Sequence, residues 1–123
     1  MNQRARSLYF LHGLGWQEED GKTVARYVVH FVDGKSNTIE VVYGRDIRNW
    51  QFWPERVAQE DGGAVPAWKG RQERWKTAWP NCGVRLYKLN WTNPRPDVEI
   101  KSVDLVSTMT ESSPFVIAIT AEP

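Results

Sequence analysis

The sequence predicts an all-β fold built from short antiparallel strands packed as a sandwich or barrel. Three observations carry this. Apolar residues recur with a period of two in several short runs bounded by turn residues. Those runs are rich in β-branched and aromatic side chains. No stretch of ten or more residues keeps the 3.6-residue apolar period of an amphipathic helix.

The elements follow in chain order. Ser7 to His12 is short, aromatic and apolar, as a buried strand should be, and Gly13-Leu14-Gly15-Trp16 breaks it. Thr23 to Val32 is the strongest strand: Tyr27, Val29 and Phe31 share one face and Val28, His30 and Val32 the other. Asp33-Gly34 is a turn, because Gly tolerates positive φ, and Asn37 to Tyr43 returns as the partner of a hairpin. Gly44 to Pro66 is long, polar and interrupted by Pro54, Gly62 and Gly63, with a short strand expected over Val65 to Gly70. Arg71 to Trp79 is a second irregular stretch. Val84 to Trp91 alternates again, and Ile100 to Ser107 does so with one slip near Ser102 that reads as a bulge. Pro114 to Ala121 is an apolar closing strand.

The chain has 123 residues, which suits one domain spanning 1–123 with one hydrophobic core. Its formal net charge is +1, so a global electrostatic footprint for nucleic acid is missing. Its one cysteine, Cys82, excludes an internal disulfide and reads as a buried inert thiol. No apolar run reaches the roughly 20 residues of a membrane span. The N-terminal residues lack the apolar stretch of a signal peptide, so we expect either a cytoplasmic protein or, preferably, part of a larger secreted one.

Val24 to Trp50, with Arg-Tyr-Val-Val-His-Phe-Val-Asp-Gly and Val-Tyr-Gly-Arg-Asp-Ile-Arg-Asn-Trp, resembles galactose-binding-domain-like jelly rolls. So do Trp91-Thr92-Asn93-Pro94-Arg95-Pro96-Asp97 through Val103-Asp104-Leu105-Val106-Ser107, the closing Pro114 to Thr120, and the opening Leu8 to His12. The likeness covers most of the chain except roughly Gln51 to Pro80. It implies an antiparallel β-sandwich of jelly-roll type, found as accessory modules of bacterial glycoside hydrolases and related secreted proteins. It also implies binding of a polysaccharide or glycan, in an extracellular or periplasmic setting, beside a larger enzyme. Modules of this kind often carry a structural calcium. Asp104 and Glu122 are the candidate side-chain ligands, each with a plain surface role as the alternative.

Seven tryptophans sharpen the binding reading. A sugar needs a flat apolar plane for its C–H face and fixed polar groups for its hydroxyls. Trp50, Trp53, Trp75 and Trp79 lie in irregular polar segments beside Asp46, Arg48 and Arg71. These seven residues form the expected carbohydrate site. The competing reading makes the rings plugs at the ends of the sandwich, and Trp50, next to the strand pattern, is the best placed to be one. Trp68 and Trp91, flanked by strand-like residues, are expected in the core; Trp16, in a Gly-rich turn, is left open. A protein–protein or interdomain docking role is the alternative function.

The remaining features are quieter. His30 alternates with valines and reads as a hydrogen-bonded core residue; His12 ends a strand and reads as a cap. Two histidines without matching Cys or carboxylate spacing do not suggest a transition-metal site. Glycoside hydrolysis needs paired carboxylates about 5–5.5 Å or 6.5–9.5 Å apart. Glu18, Glu19, Asp20, Asp46, Glu60 and Asp61 are candidates in loops, but none sits in a catalytic motif, so no enzymatic activity is expected. Arg and Lys interleave with aromatics between Arg45 and Lys76. Asp46, Glu55, Glu60, Asp61 and Glu73 blunt that charge, so an acidic sugar such as a uronate suits Arg48, Arg71 or Arg74 better than a nucleic acid does.

Overall fold

The structure is a computed structural model and describes residues 2–57, 60, 62–70 and 82–123. It consists of two antiparallel sheets and one helical turn. The strands are β1 (Ser7–Gly15), β2 (Thr23–Phe31), β3 (Ser36–Val42), β4 (Gln51–Phe52), β5 (Pro66–Gly70), β6 (Gly83–Thr92), β7 (Ile100–Ser107) and β8 (Ser113–Glu122); the turn α1 (Pro54–Val57) follows β4. One sheet runs β4-β6-β1-β8, with β5 also paired to β6; the other runs β3-β2-β7.

The two sheets face each other through one core. On β1 the alternation turns Leu8, Phe10, His12 and Leu14 inward; on β2 it turns Tyr27, Val29 and Phe31 inward. Phe10 stacks on Tyr27 across the gap, ring centroids 3.9 Å apart. Ile39 and Val41 of β3, Tyr87 of β6 and Ile100 of β7 close the same cluster. The β2–β3 hairpin turns at Asp33-Gly34, where Gly34 adopts φ +89° and donates to the Phe31 carbonyl. The slip expected near Ser102 is a bulge. His30 pairs with Ser102 and Phe31 with Ile100, which leaves Lys101 as the extra residue.

Three side chains differ from expectation. His30 is not in the core: it lies on the solvent face of the three-stranded sheet, where Nε2 meets the Asp104 carboxylate at 2.8 Å. His12 is the buried histidine. Its Nε2–H donates to the Asp46 carbonyl (3.1 Å), so its Nδ1 accepts from the Tyr27 hydroxyl (2.8 Å); burial pushes its pKa down. Trp68 is half exposed because β5 lies at the sheet margin and its ring lies over Gly70, where a Cβ would come within 2.3 Å of it. Trp91 packs partly buried against the core, as expected, and Trp16 is exposed in the left-handed region at φ +80°.

The closing strand β8 forms one margin of its sheet. Ile117 is 60% exposed there, as the extra residue between the Leu11–Ala118 and His12–Val116 pairs. No helix among the described residues is long and apolar enough to cross a membrane.

Candidate functional site

At one end of the molecule the apolar core gives way to a polar layer with an open cleft above it. The cleft has a volume of about 530 Å³ and is lined by Gln17, Glu18, Asp20, Tyr43, Arg48, Arg56 and Glu60. A narrower recess of about 60 Å³ shares Gln17, Tyr43, Arg56 and Glu60 with it, and adds Asn49, Gln51, Phe52, Trp53, Val57 and Arg85. The lining comes from the β1–β2 turn, the segment after β3, β4 with α1, and β6.

Two buried arginines hold these segments in place. Arg85, on β6, has a side chain only 4% exposed. Its Nη1 and Nη2 reach both Glu60 oxygens at 2.8 and 2.7 Å, and its Nε donates to the Asn49 carbonyl at 2.9 Å. The cation also lies near the Phe52 and Tyr87 rings. Arg48 is buried to the same degree. Its guanidinium meets Asp20 at 3.1 Å and donates to the Gly62 carbonyl at 3.2 Å. Backbone contact is tight here. Ala64 N–H donates to the Gly44 carbonyl, and a Cβ on Gly63 would lie 1.9 Å from that oxygen, so only glycine fits.

The carboxylates of the cleft are committed to cations. Asp20 holds Arg48 and Glu60 holds Arg85. Glu18 accepts from Lys22 at 3.2 Å and from the Ser112 N–H at 3.3 Å. Desolvation works to raise the Glu18 carboxyl, but the Lys22 and Ser112 bonds outweigh it and leave its pKa below the usual value. Arg56 differs from the other arginines. It is exposed, and its guanidinium stands over the Trp53 ring, 5.4 Å from the centroid.

The expected site residues separate in space. Trp53 and Arg48 line this end, although Arg48 is locked to Asp20. Asp46 lies beside the cleft as a turn brace: its Oδ2 accepts from Val42 N–H at 2.8 Å, and Arg45 clamps both oxygens. Trp50 turns towards β8, its ring edge-on to Phe115 at 5.6 Å, while its backbone bonds Leu14 and Arg85. Trp75, Trp79 and Arg71 lie outside the described residues.

Sequence reasoning did not single out Gln17, Tyr43, Asn49, Arg56 or Arg85. Only Arg56 had a readable signal: Trp53-Pro54-Glu55-Arg56 puts the cation one helical turn after the ring, with Pro54 suited to the first position of the turn.

Cys82 is buried, and desolvation raises its thiol pKa, which disfavours the reactive thiolate. The two candidate calcium ligands are engaged elsewhere: Asp104 with His30, and Glu122 with Arg6 and Tyr9. No cluster of three or more His, Cys, Asp or Glu suited to a metal occurs among the described residues. Comparison with protein-family models, with curated proteins and with solved structures finds no match to this chain.

Proposed function

We propose that the protein is a non-catalytic carbohydrate-binding module, a single jelly-roll-type domain of a larger secreted protein, and that the cleft beside Trp53 is its binding site. The observation that carries this is the half-buried Trp53, which lines the narrow recess adjoining the open polar cleft together with Gln17, Asn49 and Gln51. A ring offers a plane to the C–H face of a sugar, and amides offer both donors and acceptors to hydroxyls. The buried ion pairs beneath fix the loops that carry these groups, so little ordering remains when ligand binds. Hydrolysis would require a carboxylic acid with raised pKa beside a second free carboxylate. Each cleft carboxylate is instead bonded to a cation, which supports binding over catalysis.

Trp53→Ala is expected to abolish retention of the protein in affinity gels containing the polysaccharides it binds, with the melting temperature within a few degrees of the parent. Unchanged retention across a panel of neutral and acidic polysaccharides overturns the site. A second reading, docking onto a neighbouring domain, draws support from exposed Ile117 and Ile119 on β8. It predicts that Ile117→Asp abolishes association with that domain while glycan binding is absent throughout.

A further inference from the structure

We infer that the cleft reads an acidic sugar, with the Arg56 guanidinium receiving the carboxylate of a uronate unit. This rests on the carbohydrate reading of the same cleft. It begins from charge pairing. Arg48 and Arg85 are buried, and each is held by its own carboxylate, Asp20 and Glu60. Lys22 is held by Glu18. Arg56 has no carboxylate partner among the described residues, and its contacts are the backbone bond from its own N–H to the Trp53 carbonyl (2.9 Å) and the Trp53 ring. It is therefore the cation of the cleft whose charge is not matched by a carboxylate among the described residues.

Its setting suits a carboxylate. The guanidinium carbon lies over the ring, 5.4 Å from its centroid, and the side chain is exposed, so its N–H donors can meet a ligand. Those donors form a fork that fits a carboxylate in bidentate fashion. Stacking on an indole limits the freedom the side chain would lose on binding. Trp53 immediately precedes α1 and Arg56 lies within it, which places an apolar plane and a cation within the width of one sugar unit. A uronate presents these two features together, a C–H face and a carboxylate. A neutral hexose presents only the first.

The buried arginines cannot take this role cheaply. Each would have to leave a carboxylate already at hydrogen-bond distance, which exposes a buried charge without its partner. Among the described residues, Arg56 leaves no carboxylate behind.

The test is calorimetry with oligogalacturonate, oligoglucuronate and oligomannuronate, alongside neutral oligosaccharides of the same length. The parent protein is expected to bind at least one uronate in preference to the neutral series. Arg56→Gln should weaken that binding roughly tenfold to a hundredfold, the scale of a charge-assisted pair, with Arg56→Lys in between. Binding to any neutral sugar should change little. The melting temperature of Arg56→Gln should match the parent, because Arg56 is exposed. Equal affinity for neutral and acidic series, or an unaffected Arg56→Gln, overturns the role of Arg56 and leaves carbohydrate binding intact. Failure of every oligosaccharide, neutral or acidic, overturns both.

Discussion

The Arg85–Glu60 pair offers a direct measure of how firmly the cleft floor is built. Replacing Glu60 by Ala removes two short charge-assisted bonds, at 2.7 and 2.8 Å, from a guanidinium whose side chain is only 4% exposed. What remains is one bond to the Asn49 carbonyl and the faces of Phe52 and Tyr87. Breaking a buried pair by removing one partner costs about 3–5 kcal/mol. Glu60 is 26% exposed, so water can replace part of what is lost, and the lower end, about 3 kcal/mol, applies. For a domain of this size that corresponds to a fall in melting temperature of about 12 °C, taking roughly 4 °C per kcal/mol.

The companion variants make the assignment specific. Arg85→Met alone leaves Glu60 at the cleft rim, where it can rehydrate, so its charge is not stranded. In the double variant Glu60→Ala, Arg85→Met neither charge of this pair remains, and the loss should fall short of the sum by more than about 1 kcal/mol. Thermal melts and urea titrations on all four proteins give the cycle. A Glu60→Ala cost below about 1 kcal/mol, with additive singles, would place the pair among solvated surface bridges and refute the reading of a buried floor.

Two further outcomes concern the core. Burial holds the His12 pKa below 6.5, so the unfolded chain takes up a proton first as the pH falls; stability is full above about 6.5 and declines below it, by at most about 1.4 kcal/mol per pH unit. Urea midpoints between pH 7.5 and 5 should show this limb, and His12→Gln should flatten it; equal slopes in both proteins would remove His12 as its source. Gly13→Ala places a Cβ 2.4 Å from the Phe115 ring, which should cost about 1–3 kcal/mol by overpacking, and Phe115→Ala should relieve much of that cost in the double variant, as read from melting curves.

Much of the fold was legible because strand parity is local. Tyr27, Val29 and Phe31 could be assigned to one face from spacing alone, and the Asp33-Gly34 turn and the Lys101 bulge also left marks in sequence. Parity does not say which face is inside. Val28, His30 and Val32 are nearly as apolar as their neighbours, yet the three-stranded sheet has one solvent face and they lie on it, so His30 was expected inside and His12 was the histidine buried. Trp68 misled for the same reason: its flanks read as strand, but the strand pairs only at a margin. The site was less legible because its bonds are distant in sequence. Arg48 finds Asp20 across 28 residues, and Arg85 finds Glu60 across 25. No spacing rule reaches that far, so the ion pair that Arg48 makes with Asp20 left no mark in the sequence.

The buried ion pairs also bear on how the polar end is built. A sandwich built only for stability would continue Phe10, Tyr27 and Leu14 to its rim with apolar residues. Here two guanidinium groups are drawn inside instead, and replacing such pairs with apolar residues is often neutral or stabilising. Their gain is in position. Asp20 and Glu60 are each held by a fork of hydrogen bonds, from Arg48 and Arg85 respectively, and Asn49 by one further bond from Arg85. Such forks set distance and angle together, which packing of small polar loops cannot do. Trp53 and Arg56 then stand on a fixed base. Arg48, a cation the sequence offered for ligand binding, is engaged with Asp20 at the floor of the cleft, and Arg56, which the sequence reading passed over, is exposed at its wall.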